Sequence, residues 1–118
     1  MGIFKVPIEV GDPTGQRWES LEALVDTGST LSVLPRPMWD RLRLQSSWRQ
    51  RFELGDGRVV EYDVAEARIR LGREERTSYV VATDADTIAL LGAVALETFF
   101  VAPDPVHQKL VPVTGMLL

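Results

Sequence analysis

The stretch Leu24-Val25-Asp26-Thr27-Gly28-Ser29-Thr30 sets the tightest limit on how this chain can fold. Two apolar residues run straight into a carboxylate, and Leu31-Ser32-Val33-Leu34-Pro35 is mostly apolar again on the far side. A charged group at the end of an apolar strand is costly to bury unless it is hydrogen-bonded. The partners are supplied by the next residues. Gly28 lets backbone come close to the carboxylate, and Thr27, Ser29 and Thr30 each carry a hydroxyl proton to donate. The fold therefore has to deliver Asp26 semi-buried, at the end of a strand that enters the core.

Composition narrows what that carboxylate can do. The chain has 118 residues, the size of one domain, so residues 1–118 are read as a single unit. Apolar residues make up 45%, which argues against a disordered chain, and no apolar run approaches a membrane span. There is no Cys and one His, His107. Disulfides, thiol catalysis and Cys-ligated zinc are excluded, and a His-built metal site or a Ser-His-Asp triad is disfavoured. No cofactor or metal is expected. The chemistry left is that of carboxylates and hydroxyls.

The net charge of −4 lacks the basic surplus of a nucleic-acid binder, so neither nucleic acid nor membrane is expected as a partner. Arg36, Arg41, Arg43, Arg49 and Arg51 form a local basic stretch. It is read as a solvated helix face and loop in preference to a docking patch. The first residues lack the layout of a secretory signal, and Val6 stands where a myristoylation motif wants Ser or Thr. With the missing cysteines, this sets the expectation of a cytoplasmic protein. The start at Met1 suggests one that stands alone.

Along the chain the period is mostly two. Phe4, Val6, Ile8 and Val10 share one face of a strand over Ile3–Val10, and Pro7 marks that strand as an edge or a short pairing. Gly11-Asp12-Pro13-Thr14-Gly15 is dense turn chemistry, and a return strand leads to Asp26. A short strand over Leu31–Leu34 is followed by a helix over Pro37–Leu44, with Trp39 and Leu42 inward. Gly55-Asp56-Gly57 centres a hairpin whose second arm runs from Arg58 to Leu71. In that arm Val60, Tyr62 and Val64 keep an even phase, while Ala65, Ala67, Ile69 and Leu71 keep an odd one. A strand cannot switch faces without a bulge, a bend or a change of sheet. The far half of this hairpin is therefore expected to project from the body. Tyr62 is read as core packing in preference to a site wall.

A strand over Thr77–Ala82, an apolar strand ending Leu90-Leu91-Gly92, a helix over Ala93–Phe99 and a last strand over Val106–Val113 complete the chain. Val94, Leu96, Phe99 and Phe100 are available for packing, Ala102-Pro103-Asp104-Pro105 stops the helix, and His107 is read as a surface residue. The sum is an all-β domain with one or two short helices, of about seven or eight strands, closed and barrel-like.

Two carboxylates face to face are a stronger device than one. They cannot both ionise at close range, so one serves as base and the other as acid, activating a water and protonating a leaving amine. Leu24-Val25-Asp26-Thr27-Gly28-Ser29 resembles the catalytic signature of the retropepsin-like aspartic proteases, two apolar residues and then Asp-Thr-Gly-Ser. Leu90-Leu91-Gly92 resembles that family's second apolar-apolar-glycine element, and Glu53 to Arg58 sits where the family carries its flap. The order and spacing fit a whole protomer of that fold, one lobe per chain.

The resemblance implies roles. Asp26 would be the catalytic carboxylate, Thr27 would bond across a dimer axis, the Gly28 amide would reach the carboxylate, and Ser29 would donate to its outer oxygen. Leu54, Gly55, Asp56, Gly57 and Arg58 would close over an extended peptide or protein substrate. The retroviral flap is richer in glycine and isoleucine, and Asp56 and Arg58 at this tip mark a departure from it. Only one such motif is present. Asp86-Thr87 is followed by Ile88 where glycine is needed, and neither Asp84 nor Asp56 has the right surroundings. The enzyme reading thus requires a homodimer with a two-fold axis through the site, and an acidic optimum. Met116-Leu117-Leu118 at one end, and Ile3 and Phe4 at the other, are candidates for the interface. The alternatives are a non-catalytic module that binds peptides or only dimerises, and an Asp26 that merely caps a turn.

Overall fold

The computed structural model describes residues 4–84 and 87–118. The expectations that rest on Ile3 and Asp86 lie outside the described residues.

Strand β1 (Lys5–Gly11) and strand β2 (Trp18–Val25) form the first hairpin. Phe4, Val6, Ile8 and Val10 are buried as their alternation requires. Phe4 lies in the chain's own core, so it is not available to an interface. Strand β3 (Ser32–Pro35) leads into helix α1 (Arg36–Arg41), which begins with proline in its first turn. The helix is shorter than Pro37–Leu44. Arg43 adopts a positive φ of 54°, and the Leu44 N–H reaches back to the Trp39 carbonyl, which ends the helix while keeping Trp39 and Leu42 buried.

Strand β4 (Trp48–Glu53) pairs with the long strand β5 (Val59–Leu71) across a turn at Leu54–Arg58. Arg49 and Arg51 therefore lie on a strand and not on the helix face or loop expected of the basic stretch, because the hairpin extends six residues back from its turn. The phase switch in β5 is real. Val64 and Ala65 are consecutive and both buried. At Val64 the strand exchanges one partner for another, β4 along Val59–Val64 and strand β6 (Glu74–Thr83) along Val64–Leu71. The change of partner turns the other face inward, and it leaves β4 and the first half of β5 standing out from the body.

Strand β7 (Leu90–Leu91) runs into helix α2 (Ala93–Thr98), and a hairpin of strands β8 (Val101–Asp104) and β9 (Lys109–Pro112) follows. The sheet order is β1-β2-β7-β3-β6-β5-β4, and Glu9–Gly11 of β1 also pair with Arg68–Arg70 of β5. That last pairing closes the strands into a barrel-like ring with β4 hanging from it. Pro7 sits in the part of β1 that β5 does not reach, which is how a residue without a donor is tolerated there.

Two expectations about the C-terminal part fail. Ala102-Pro103-Asp104 is part of β8, not just a helix stop; the turn after it is held by the Asp104 carboxylate, which accepts from the Val106 and His107 amides and contacts His107 Nδ1 at 2.7 Å. Phe100 is 53% exposed, because its positive φ of 54° turns the chain out of α2. Among the described residues no helix is long and apolar enough to cross a membrane.

Candidate active site

Asp26 follows the last residue of β2, and parallel pairing of β2 with β7 holds it there. Leu24 and Val25 register with Leu90 and Leu91, and the Asp26 N–H donates to the Leu91 carbonyl at 3.0 Å. The loop beyond is gripped from the same side. The Ala93 and Val94 amides donate to the Ser29 and Thr30 carbonyls at 2.7 and 3.0 Å, and the Gly92 amide donates to the Ser32 hydroxyl at 3.0 Å. Glycine is demanded at 92 by space. A Cβ there would stand 2.5 Å from the Leu31 carbonyl oxygen and 2.7 Å from that of Ser29. The two apolar-to-glycine segments, distant in sequence, are thus one interlocked unit.

Within the loop, the Gly28 amide donates to Asp26 Oδ1 at 2.9 Å, the contact that the resemblance implies. The Ser29 hydroxyl behaves differently. It donates to the Leu31 carbonyl at 2.7 Å, so its one proton satisfies the loop backbone and is not directed at the Asp26 carboxylate. Asp26 is half-buried and Thr27 is exposed.

Above this loop an open cleft of about 760 Å³ separates Asp26, Gly28 and Ser29 from the projecting hairpin. Leu54, Gly55 and Arg58 line its other bank, whereas Thr27, Asp56 and Gly57 do not line it. Asp56 and Arg58 are bound to each other. The Arg58 amide donates to Asp56 Oδ1 at 3.0 Å and Arg58 Nε to Oδ2 at 2.8 Å. Those bonds, the amide first, hold the Asp56 carboxyl below its ordinary range, and the same pairing raises Arg58. The hairpin tip is therefore a closed turn stiffened by its own ion pair.

Several lining residues escaped the sequence reading. Tyr62 belongs to the cleft wall and not to the core, with its ring 6.4 Å from Phe52. Arg51, Phe52 and Glu53 contribute from β4, and Asp84 and Thr87 from the loop before β7. The signal for the β4 residues was present. Any hairpin centred on Gly55-Asp56-Gly57 sets Arg51–Glu53 opposite Val59–Glu61. Among the described residues, no group of three His, Cys, Asp or Glu side chains is placed to hold a metal ion.

A family model described as aspartyl protease matches residues 6–94. The fold is shared with the EIAV protease solved in complex with the inhibitor HBY-793, at a TM-score of 0.56 and 20% identity, over 91% of this chain and 90% of that one. No curated protein sequence matches the chain. The mostly β, barrel-like architecture is thus that of a retroviral protease.

Proposed function

Since the chain belongs to the aspartyl protease family, we propose that it is an aspartic endopeptidase that works as a homodimer, with Asp26 of two protomers forming the catalytic dyad. The observation that carries this reading is the placement of Asp26. It sits at the end of β2, in a loop braced by β7 and α2, and it lines an open cleft of about 760 Å³ between that loop and the hairpin.

One carboxylate cannot both activate water and protonate a leaving amine in the same step. Two at close range share a proton, and each can take one of those roles. The chain holds a single Asp-Thr-Gly-Ser segment, so the second carboxylate comes from a second copy about a two-fold axis. The tail supports such an arrangement. Met116 and Leu117 are 90% and 97% exposed, apolar surface that a partner could cover. The substrate strand would lie between the Asp26 loop and the hairpin, adding to strand edges with alternate side chains reading the walls. Closure of the hairpin would exclude water around the scissile bond.

Hydrolysis of a denatured protein substrate across pH, with Asp26→Asn as control, is the direct test. An acid-side optimum that the variant lacks supports the dyad. Equal hydrolysis by the two proteins sinks it, and tight peptide binding without turnover by either identifies a binding module. Sedimentation at rising concentration tests the dimer separately.

A further inference from the structure

We infer that Glu53 makes this cleft select a basic side chain in the substrate strand and reject an acidic one. The inference rests on reading the cleft as a peptide site. Beside the Asp26 loop its walls are apolar, with Leu31, Val33 and Leu90. The charged groups stand mainly on the hairpin, and they are not equivalent. Arg58 is held by Asp56 at 2.8 Å. Arg51 lies directly opposite Glu61 in the β4–β5 register, but the Glu61 carboxylate is paired with Arg49 at 3.4 Å, so Arg51 makes no ion pair among the described residues.

Glu53 is not held as Arg58 is. Its register partner is Val59, its side chain is exposed, and no ion pair to it is formed among the described residues. Asp84, on the far bank, likewise makes none there. Asp26 apart, the cleft groups left without an ion pair among the described residues are thus two acids, Glu53 and Asp84, and one cation, Arg51, so the excess charge that meets an entering strand is negative.

Binding a strand beneath the hairpin displaces water from Glu53. A lysine or arginine side chain arriving there replaces the lost hydration with an ion pair. An aspartate or glutamate meets a like charge, and specificity grows from that repulsion as much as from the attraction. Glu53 acts on a substrate side chain one or more residues from the scissile bond, so it sets specificity and takes no part in bond breaking.

Matched peptides, identical except for Lys, Leu or Glu scanned through the positions around a cleaved bond, test this. In the wild type one position should favour Lys over Glu in kcat/KM by about fivefold or more, the scale of one well-placed, partly exposed ion pair, and added salt should shrink the ratio. Glu53→Gln should bring the ratio close to one, and Glu53→Lys should invert it, with thermal melts verifying that both variants fold. Anisotropy binding of the same peptides to the Asp26→Asn variant reads the preference without turnover. A ratio unaltered by Glu53→Lys, or a wild type that favours Glu or is indifferent, overturns the inference. A Lys preference in binding with no cleavage by the wild type leaves it standing and removes the protease reading. Absence of both binding and cleavage removes both.

Discussion

Asp12 and Asp26 each follow a strand, and each opens a turn that contains hydroxyl residues and a glycine. Their settings differ. The Asp12 carboxylate accepts from the Thr14 hydroxyl and from the Gln16 and Arg17 amides, the last two at 2.8 and 2.7 Å. These bonds, that from Thr14 foremost, lower its pKa to about 2. All of these donors lie in the β1–β2 turn itself. The Asp26 loop spends its serine proton on its own backbone, takes its bracing from Leu91, Gly92, Ala93 and Val94, and turns the carboxylate toward a cleft. A turn that closes on its own carboxylate uses that group as a structural acceptor. The Asp26 turn gives its carboxylate the Gly28 amide at 2.9 Å, but it draws the rest of its bracing from distant backbone, and the carboxylate faces a site.

The largest expected effect separates the two directly. Asp26→Asn should lower peptide hydrolysis by at least ~10²–10⁴-fold, the range of a general acid–base group, with a melting temperature close to that of the wild type. Asp12→Asn should do the reverse, lowering the melting temperature while turnover per folded molecule stays the same. Loss of turnover with Asp12→Asn in fully folded protein would break the contrast.

Next comes the bracing. Gly92→Ala forces a Cβ against the Leu31 and Ser29 carbonyls, and overpacking of this kind costs about 1–3 kcal/mol. It should both destabilise the fold in urea titrations and reduce turnover, because the displaced carbonyls belong to the Asp26 loop. Unchanged kinetics would mean that the loop is held by something other than this clamp.

Acid should expose the Asp12 turn. Its folded pKa of about 2 lies below the ordinary 3.8, so the unfolded chain binds the proton first as pH falls. The stabilisation is complete above the unfolded value and is lost as pH drops from near 4 through about 2. Urea midpoints measured across that window should fall in the wild type and fall less in Asp12→Asn. The smallest effect is expected from Ser29→Ala, about 1 kcal/mol for one hydrogen bond to a carbonyl, with the shape of the pH–rate profile retained. A shifted profile would show that the hydroxyl turns to Asp26 during catalysis.

Much of this site could be read from residue order. The run Leu24 to Thr30 announced a strand ending in a supported carboxylate, and Leu90-Leu91-Gly92 announced a second strand of the same kind. The switch of phase between Val64 and Ala65 announced the projecting hairpin, since period-two alternation tolerates no silent change of face. Other features were hidden. Ala102-Pro103-Asp104 carries two residues that punctuate helices, so its pairing with β9 shows only once both strands are placed. The role of Ser29 was hidden because a hydroxyl can donate to any nearby acceptor, and the sequence does not say that the Leu31 carbonyl will be the one within reach.

By itself, the order of residues determined the period, the turns and the chemical character of the Asp26 loop, because these depend on neighbours a few positions apart. The tertiary structure decided which of two similar aspartates became a structural acceptor and which faced a cleft. That outcome depends on backbone groups more than sixty residues away, at Leu91 to Val94, reaching the loop through parallel pairing. It also decided that Tyr62 and Glu53 line the same cleft as Asp26. No local pattern encodes that proximity, because it arises only when β5 changes partner and the hairpin is carried over the loop.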